Sequence, residues 1–104
     1  EAIKIETEIG NNRGISVSRI NLGDIYRFSG VYGEAKKNYL DGLKIALDIN
    51  DTELIWRAQY GLAVVNEKQN NNEQALKYYK EAVNIVTKKK DNLPLQLPLE
   101  VNHH

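Results

Sequence analysis

The sequence predicts an all-α fold, a solenoid in which antiparallel helix hairpins stack side by side. The first observation is internal repetition, because the chain resembles itself when it is shifted by about forty residues, a period typical of solenoids. The second is that apolar residues within each period recur at steps of three and four, as on one face of a helix. The third is that short segments rich in glycine or asparagine separate these stretches and provide turns.

The repetition is clearest in a short pattern of acidic, small, aliphatic, polar and isoleucine positions. It occurs as EAIKI at residues 1–5, as DGLKI at 41–45 and as EAVNI at 81–85. A fixed period of this kind indicates that one helical unit is used repeatedly. The same shift aligns further residues of identical type: Ile9 with Ile49, Ile15 with Ile55, Leu22 with Leu62, Ala35 with Ala75, and Tyr39 with Tyr79.

Four segments interrupt the helical pattern. FSGVYG at residues 28–33 and KQNNNE at 68–73 fall within units, whereas NNRG at 11–14 and INDTE at 49–53 fall between units. Glycine and asparagine tolerate the left-handed backbone that ends helices, and Asp51 suits the N-cap of the helix that follows it. We therefore expect helices at residues 2–9, 12–29, 33–48, 52–69 and 72–90.

This pattern divides the chain into four parts. Residues 1–10 are predicted to be the second helix of an earlier, truncated repeat, residues 11–50 and 51–90 to be full hairpin units, and residues 91–104 to be an extended tail. Pro94 and Pro98 prevent a helix from continuing through the leucine-rich tail. The terminal His103 and His104 are interpreted as the remnant of an affinity tag.

The first unit resembles the consensus of the tetratricopeptide repeat, which runs Leu-Gly, tyrosine, glycine, tyrosine, alanine, aromatic and small residue. The residues that carry the likeness are Leu22, Gly23, Tyr26, Gly30, Tyr32, Ala35, Tyr39 and Gly42. The second unit matches at Leu62, Ala63, Ala75, Tyr79 and Ala82, and it departs from the pattern at Asn66, Asn70 and Asn72. The resemblance implies helix hairpins that stack into a right-handed superhelix.

The period of this chain is longer than the usual repeat of about 34 residues. It is similar to the subclass with longer helices that is found in polarity adaptors of the Leu-Gly-Asn type, and Asn21, Leu22 and Gly23 match that motif. The resemblance to the subclass covers residues 1–90.

The composition limits the classes of partner. The 14 lysines and arginines balance the 14 aspartates and glutamates, so no net charge favours nucleic acid or an anionic membrane. The chain has no cysteine, which excludes disulfides and thiolate metal sites. No apolar stretch approaches the roughly 20 residues of a membrane span. We expect no nucleic acid or membrane partner, no metal, no cofactor and a cytoplasmic location.

Catalytic residues are not predicted. Ser16 and Ser18 have no internal histidine to activate them, and the sequence contains no phosphate-binding glycine motif. Asp24 and Glu34 are separated carboxylates, and we interpret them as residues on solvated helix faces rather than as an acid–base pair. We therefore expect a protein that is not an enzyme.

The resemblance implies that the first helix of each unit lines a concave groove that binds a peptide or a protein segment. Asn21 can hold a peptide backbone through its amide, and Arg27 and Arg57 can grip carboxylates. Trp56 is interpreted as a packing residue between repeats. The predicted groove residues are Val17, Ile20, Asn21, Asp24, Arg27, Phe28, Arg57, Tyr60, Gly61, Val64, Glu67 and Lys68.

The predicted function is a protein–protein interaction scaffold. The alternative is a regulatory or sensor segment of a larger bacterial signalling enzyme or transcription regulator, in which the repeats contact another domain of the same chain. The exposed ends of the repeat array and the leucine-rich tail also predict concentration-dependent self-association.

Overall fold

The computed structural model describes the backbone of residues 2–91 and the side chains of residues 8–87. The described backbone forms four helices: α1 (Ala2–Phe28), α2 (Tyr32–Asp48), α3 (Thr52–Lys68) and α4 (Asn72–Asp91). No strand occurs within residues 2–91, and the predicted all-α class is confirmed. The predicted tail from Leu93 to Val101, together with His103 and His104, lies outside the described residues.

Consecutive helices pair as hairpins. α1 packs on α2 and α3 packs on α4, while α3 also packs on α2 and touches α1. The first helices of the two hairpins, α1 and α3, are therefore neighbours, as the predicted groove requires. None of the described helices is long and apolar enough to cross a membrane.

The three turns share one geometry. Gly30, Asn50 and Asn70 each adopt a positive φ, and each turn is closed by a hydrogen bond from the next residue to a carbonyl five residues earlier. Asparagine can replace glycine in these turns because, next to glycine, it is the residue that best tolerates a left-handed backbone. Asp51 caps α3 by accepting from the Leu54 amide at 3.1 Å, so the predicted N-cap is confirmed.

The predicted break at residues 11–14 is wrong, because α1 continues through it from Ala2 to Phe28. The predicted helices at residues 2–9 and 12–29 are therefore one helix, and the described part of the predicted 1–10 unit, residues 2–10, is not a separate element. Glycine in a helix costs only about 1 kcal/mol relative to alanine, which is not enough to end a helix without a competing turn. Arg13 also donates to Asp51 at 2.8 Å, which ties this part of α1 to the turn between α2 and α3.

Tyr39 lies at the centre of the core. Its ring is fully buried between Gly23 of α1 and Gly61 of α3, and a Cβ at either glycine would approach the ring to well under 3.0 Å. A second close crossing lies at Gly42, where a Cβ would meet Ile20 Cγ1 at 2.8 Å. Glycine therefore allows the close helix approaches at Gly23, Gly42 and Gly61.

Candidate functional site

The facing sides of α1 and α3 carry most of the predicted groove residues at the surface. Ten of the twelve are exposed or half-buried: Val17, Asn21, Asp24, Arg27, Phe28, Arg57, Tyr60, Val64, Glu67 and Lys68. The other two, Ile20 and Gly61, were placed wrongly in the groove. Ile20 is buried against Gly42, and Gly61 lies beneath the ring of Tyr39, so neither is accessible to a ligand.

Asp24 is the centre of a polar network on this surface. Its carboxylate accepts a hydrogen bond from the Tyr39 hydroxyl, and Arg27 Nη2 donates to the same oxygen at 3.4 Å. The second oxygen of Asp24 lies 3.7 Å from Arg57 Nη2 on α3. One carboxylate on α1 therefore faces two guanidinium groups, and the cluster carries an excess of positive charge.

Two further hydrogen bonds complete the network. Arg27 Nε donates to the Tyr39 hydroxyl oxygen at 2.8 Å, and Arg57 Nη2 donates to Asn21 Oδ1 at 3.0 Å. The structure thus brings together Asn21, Asp24, Arg27 and Arg57, all of which the sequence placed in the groove. The sequence treated them as independent ligand contacts, whereas the structure joins them to one another.

The protonation states of Tyr39 and Arg27 are fixed at neutral pH. Burial, reinforced by the hydrogen bond to Asp24, raises the pKa of Tyr39 to about 12. Burial acts to lower the pKa of Arg27, but its hydrogen bonds and charge interactions with Tyr39 and Asp24 outweigh burial and raise that pKa. Tyr39 is therefore a neutral donor and Arg27 a permanent cation.

A row of aromatic rings borders the polar network on the side of α4. The Trp56 and Tyr60 rings stack with centroids 6.0 Å apart, and Tyr60 meets the Tyr79 ring edge to face at 6.0 Å. The Tyr79 hydroxyl donates to Glu67 at 2.7 Å. Burial, with a contribution from this hydrogen bond, raises the pKa of Tyr79 to about 12. The row offers stacking surfaces beside the charged cluster.

Sequence reasoning used Tyr79 only as a residue of the repeat pattern and did not include it among the groove residues. The forty-residue shift contained the signal, because it aligns Tyr79 with Tyr39 and Glu67 with Arg27. In both hairpins a charged residue near the end of the first helix hydrogen-bonds the tyrosine hydroxyl of the second helix. The charge at that position is opposite in the two hairpins, with Arg27 near the end of α1 and Glu67 near the end of α3.

Phe28 marks the end of the groove on α1. Its ring is largely exposed, and the guanidinium carbon of Arg27 lies 4.5 Å from the ring centroid, within the range of a cation–π contact. No group of His, Asp or Glu side chains suited to a metal ion occurs in the part of the chain that the structure describes. The surface therefore offers aromatic, amide and charged contacts.

Comparison with known proteins gives one match. A family described as tetratricopeptide repeat matches residues 15–88, which include both described hairpin turns. Searches of curated proteins and of solved structures found no match. Repeats of this family generally mediate protein–protein interactions. The matched range covers well over half of the sequence, and the chain belongs to the tetratricopeptide repeat family.

Proposed function

We propose that this chain is an interaction scaffold that binds an extended peptide segment of a partner protein in the groove between α1 and α3. The observation that carries the proposal is the polar network of Asn21, Asp24, Arg27 and Arg57, which lies at the surface next to the aromatic row. In this proposal the chain binds its partner and does not catalyse a reaction.

Each part of the groove suits one feature of a peptide. Asn21 uses its oxygen for Arg57 and keeps its amide donors for a peptide carbonyl. Arg57 has five N–H groups, and the contacts with Asn21 and Asp24 leave several of them for a ligand carboxylate. Tyr60 is exposed and can take an apolar or aromatic side chain of the peptide.

The charges favour a particular ligand. Arg27 and Arg57 share the single carboxylate of Asp24, so the cluster attracts an acidic residue of the peptide. An apolar residue a few positions away would reach the aromatic row. We therefore propose an acidic segment that carries an aromatic or aliphatic anchor, bound with micromolar affinity, or about −8 kcal/mol.

A comparison of designed peptides tests this function. Fluorescein-labelled acidic, neutral and basic peptides that share one aromatic anchor are titrated, and fluorescence anisotropy measures binding. The acidic peptide should bind best, and the double variant Asn21→Ala with Arg57→Ala should weaken it without lowering the melting temperature. Lys44→Ala removes an exposed cation from α2 and serves as the matched control. Equal binding of all three peptides, or loss of binding only in the control, would refute the groove assignment.

Two finer assignments stay predictions. The first is membership in the subclass of Leu-Gly-Asn type adaptors. It is supported by the spacing of forty residues between Tyr39 and Tyr79, whose hydroxyl groups make equivalent hydrogen bonds in the two hairpins. In the regulatory alternative the groove holds another domain of the same longer chain. That alternative uses the same surface and differs only in the source of the bound segment.

A further inference from the structure

A depression of about 340 Å³ lies where α2, α3 and α4 meet, close to the turn between α3 and α4. We call it the α2–α4 depression. Its lining combines apolar, amide and cationic side chains, and these come from all three helices and from the turn. Among the lining residues are Lys36 and Leu40 of α2, Leu62 and Asn66 of α3, Asn71 of the turn and Tyr78 of α4.

This depression is separate from the candidate groove. Val64 of α3 is a half-buried groove residue, whereas Asn66, two positions later, is only 3% exposed at the bottom of the depression. Successive residues of a helix are rotated by about 100°, so these two side chains leave α3 in nearly opposite directions. None of the twelve predicted groove residues is among the described residues that line the depression. A ligand bound there would contact a different surface from a peptide in the groove.

The forty-residue shift shows how the second hairpin differs at this place. It aligns Asn66 with Tyr26 and Tyr78 with Asn38, so the tyrosine and the asparagine have exchanged helices. In both hairpins the asparagine is buried and its amide donates to the carbonyl four residues earlier, at 2.9 Å for Asn38 and 2.8 Å for Asn66. The amide of Asn66 is thus held against α3, and it does not extend outward as a tyrosine ring would.

The apolar part of the lining suits one aromatic ring. Leu62 is fully buried beneath the depression, and Leu40 and Tyr78 lie on the two sides of α3, the first 43% exposed and the second half-buried. A cavity of roughly 150 Å³ is enough for benzene, and pockets for drug-sized ligands begin at about 300 Å³. The depression therefore accommodates a single substituted ring, which can pack offset or edge to face against Tyr78.

The polar part of the lining can bind a hydroxyl group on that ring. Asn71 donates through Nδ2 to Asn66 Oδ1 at 3.3 Å, which leaves the amide oxygen of Asn71 as an acceptor. Lys36 is half-buried and can donate to an oxygen or lie over the face of the ring. A phenol hydroxyl both donates and accepts, so it matches both groups, whereas an unsubstituted ring would gain neither hydrogen bond.

We propose that the α2–α4 depression is a second binding site and that it takes the tyrosine side chain of a partner protein. The ring packs between Leu40 and Tyr78. The hydroxyl donates to Asn71 and accepts from Lys36. Because Leu40 and Asn71 are exposed at the rim, a free phenol is bound weakly, and the residues beside a partner's tyrosine add the contacts that make binding effective.

NMR spectra of the isotope-labelled chain test the site through three nitrogen-bound signals. Asn66 and Asn71 have side-chain amide signals at the depression, and Trp56, the single tryptophan, has an indole signal next to the groove. The probes are N-acetyl-tyrosinamide, p-cresol as the free phenol, and toluene as the ring without a hydroxyl. N-acetyl-tyrosinamide should shift both asparagine signals with a Kd in the millimolar range and leave Trp56 unchanged. Toluene should bind at least about threefold more weakly, since it gains no hydrogen bond.

Two pairs of exposed residues provide matched variants. Leu40→Ala removes one wall of the depression and should weaken the binding of N-acetyl-tyrosinamide by about threefold or more, whereas Leu47→Ala, at a leucine that is 54% exposed on the same helix, should leave it unchanged. Asn71→Ala removes the acceptor and should weaken N-acetyl-tyrosinamide but not toluene. Asn72→Ala makes the same change at the next exposed residue and serves as its control.

The opposite results would overturn the proposal. A shift of Trp56 in place of Asn66 and Asn71 would show that the tyrosine binds in the groove, and the absence of any saturable shift would show that the depression holds only solvent. Equal affinity for toluene, or equal weakening by Leu40→Ala and Leu47→Ala, would indicate unspecific apolar contact. Tighter binding of p-cresol than of N-acetyl-tyrosinamide would point to free phenols as the ligand. The acidic-peptide titrations test the groove independently of each of these results.

Discussion

The hydroxyl of Tyr39 donates a hydrogen bond to the carboxylate of Asp24, which joins α2 to α1 across a separation of 15 residues. The ring of the same tyrosine is clamped between two glycines in the core, while its hydroxyl reaches the polar network of the groove. One side chain therefore links core packing to the geometry of the candidate site. Changes at this point are expected to affect both stability and binding.

Gly61→Ala should destabilise the fold. The new methyl group would approach the Tyr39 ring to well under 3.0 Å, and both the ring and the α3 backbone are held in place by packing. We expect a loss of about 1–3 kcal/mol in the free energy of unfolding, the usual cost of overpacking. Urea denaturation of Gly61→Ala and the wild type measures this difference in the free energy of unfolding.

Gly14→Ala is the matched control, because nothing lies within 4 Å of a Cβ at that position. Gly14 lies inside α1, so alanine should raise stability by about 0.5–1 kcal/mol through helix propensity. Equal destabilisation by both substitutions would contradict the close approach at Gly61. Destabilisation by Gly14→Ala alone would argue against a continuous α1.

Tyr39→Phe should lower stability by about 1–2 kcal/mol at neutral pH. The substitution keeps the ring but removes the hydroxyl that bonds Asp24 and Arg27, and it leaves these groups without a buried partner. Tyr79→Phe removes only one hydrogen bond, to the exposed Glu67, and should cost less. Thermal and urea denaturation measure the loss of stability in each variant. An equal loss in Tyr39→Phe and Tyr79→Phe would contradict the central role of Tyr39.

The comparison of Tyr39 with Arg13 shows what the sequence was able to predict. The forty-residue repeat singled out Tyr39, Gly23 and the turns at Gly30, Asn50 and Asn70, because these features depend on local composition and spacing. The segment around Arg13 has the same composition as a turn, yet it is helical, and Arg13 bonds Asp51, 38 residues away. A contact of that range leaves no signal in a local pattern.

Prediction of the candidate site from the sequence is limited in the same way, because contacts between distant residues decide which side chains are accessible. The family resemblance supplied the twelve groove residues, and ten of them lie at the surface, but Ile20 and Gly61 are buried. Whether a residue of α1 or α3 is buried depends on the neighbouring helices. The bond between Arg57 and Asn21 joins two helices, so pairing within the groove was likewise not predictable from either unit alone.

Alkaline pH should weaken the fold through Tyr39. The pKa of Tyr39 is raised from its ordinary value of 10.0 to about 12 in the folded state, so the folded chain keeps a proton that the unfolded chain releases. The stabilisation is fully present below pH 10 and is lost as the pH rises through 12. Two pKa units correspond to about 2.7 kcal/mol at most.

Urea denaturation at several pH values from 8 to about 11.5 measures this effect. The free energy of unfolding of the wild type should fall more steeply with pH than that of Tyr39→Phe, and the two curves should converge. Tyr79 acts in the same direction and contributes to both curves, so it does not alter their difference. Parallel curves would show that the Tyr39 hydroxyl is not the group that titrates.

Asp24→Asn should strengthen the binding of acidic peptides while it weakens the fold. Asp24 is the carboxylate shared by Arg27 and Arg57, and the amide keeps its shape but not its charge. Both arginines then lose their internal counter-charge, and their attraction for a ligand carboxylate increases. An interaction of about 1 kcal/mol at a partly exposed site corresponds to roughly fivefold tighter binding.

Asp41→Asn makes the same charge change at an exposed position on α2 and should leave the affinity nearly unchanged. Anisotropy titrations of the acidic peptide at low and high salt decide the matter, because the gain should shrink as salt screens the arginines. Weaker binding in Asp24→Asn, with Asp41→Asn unchanged, would mean that Asp24 positions the arginines for the ligand rather than competing with it.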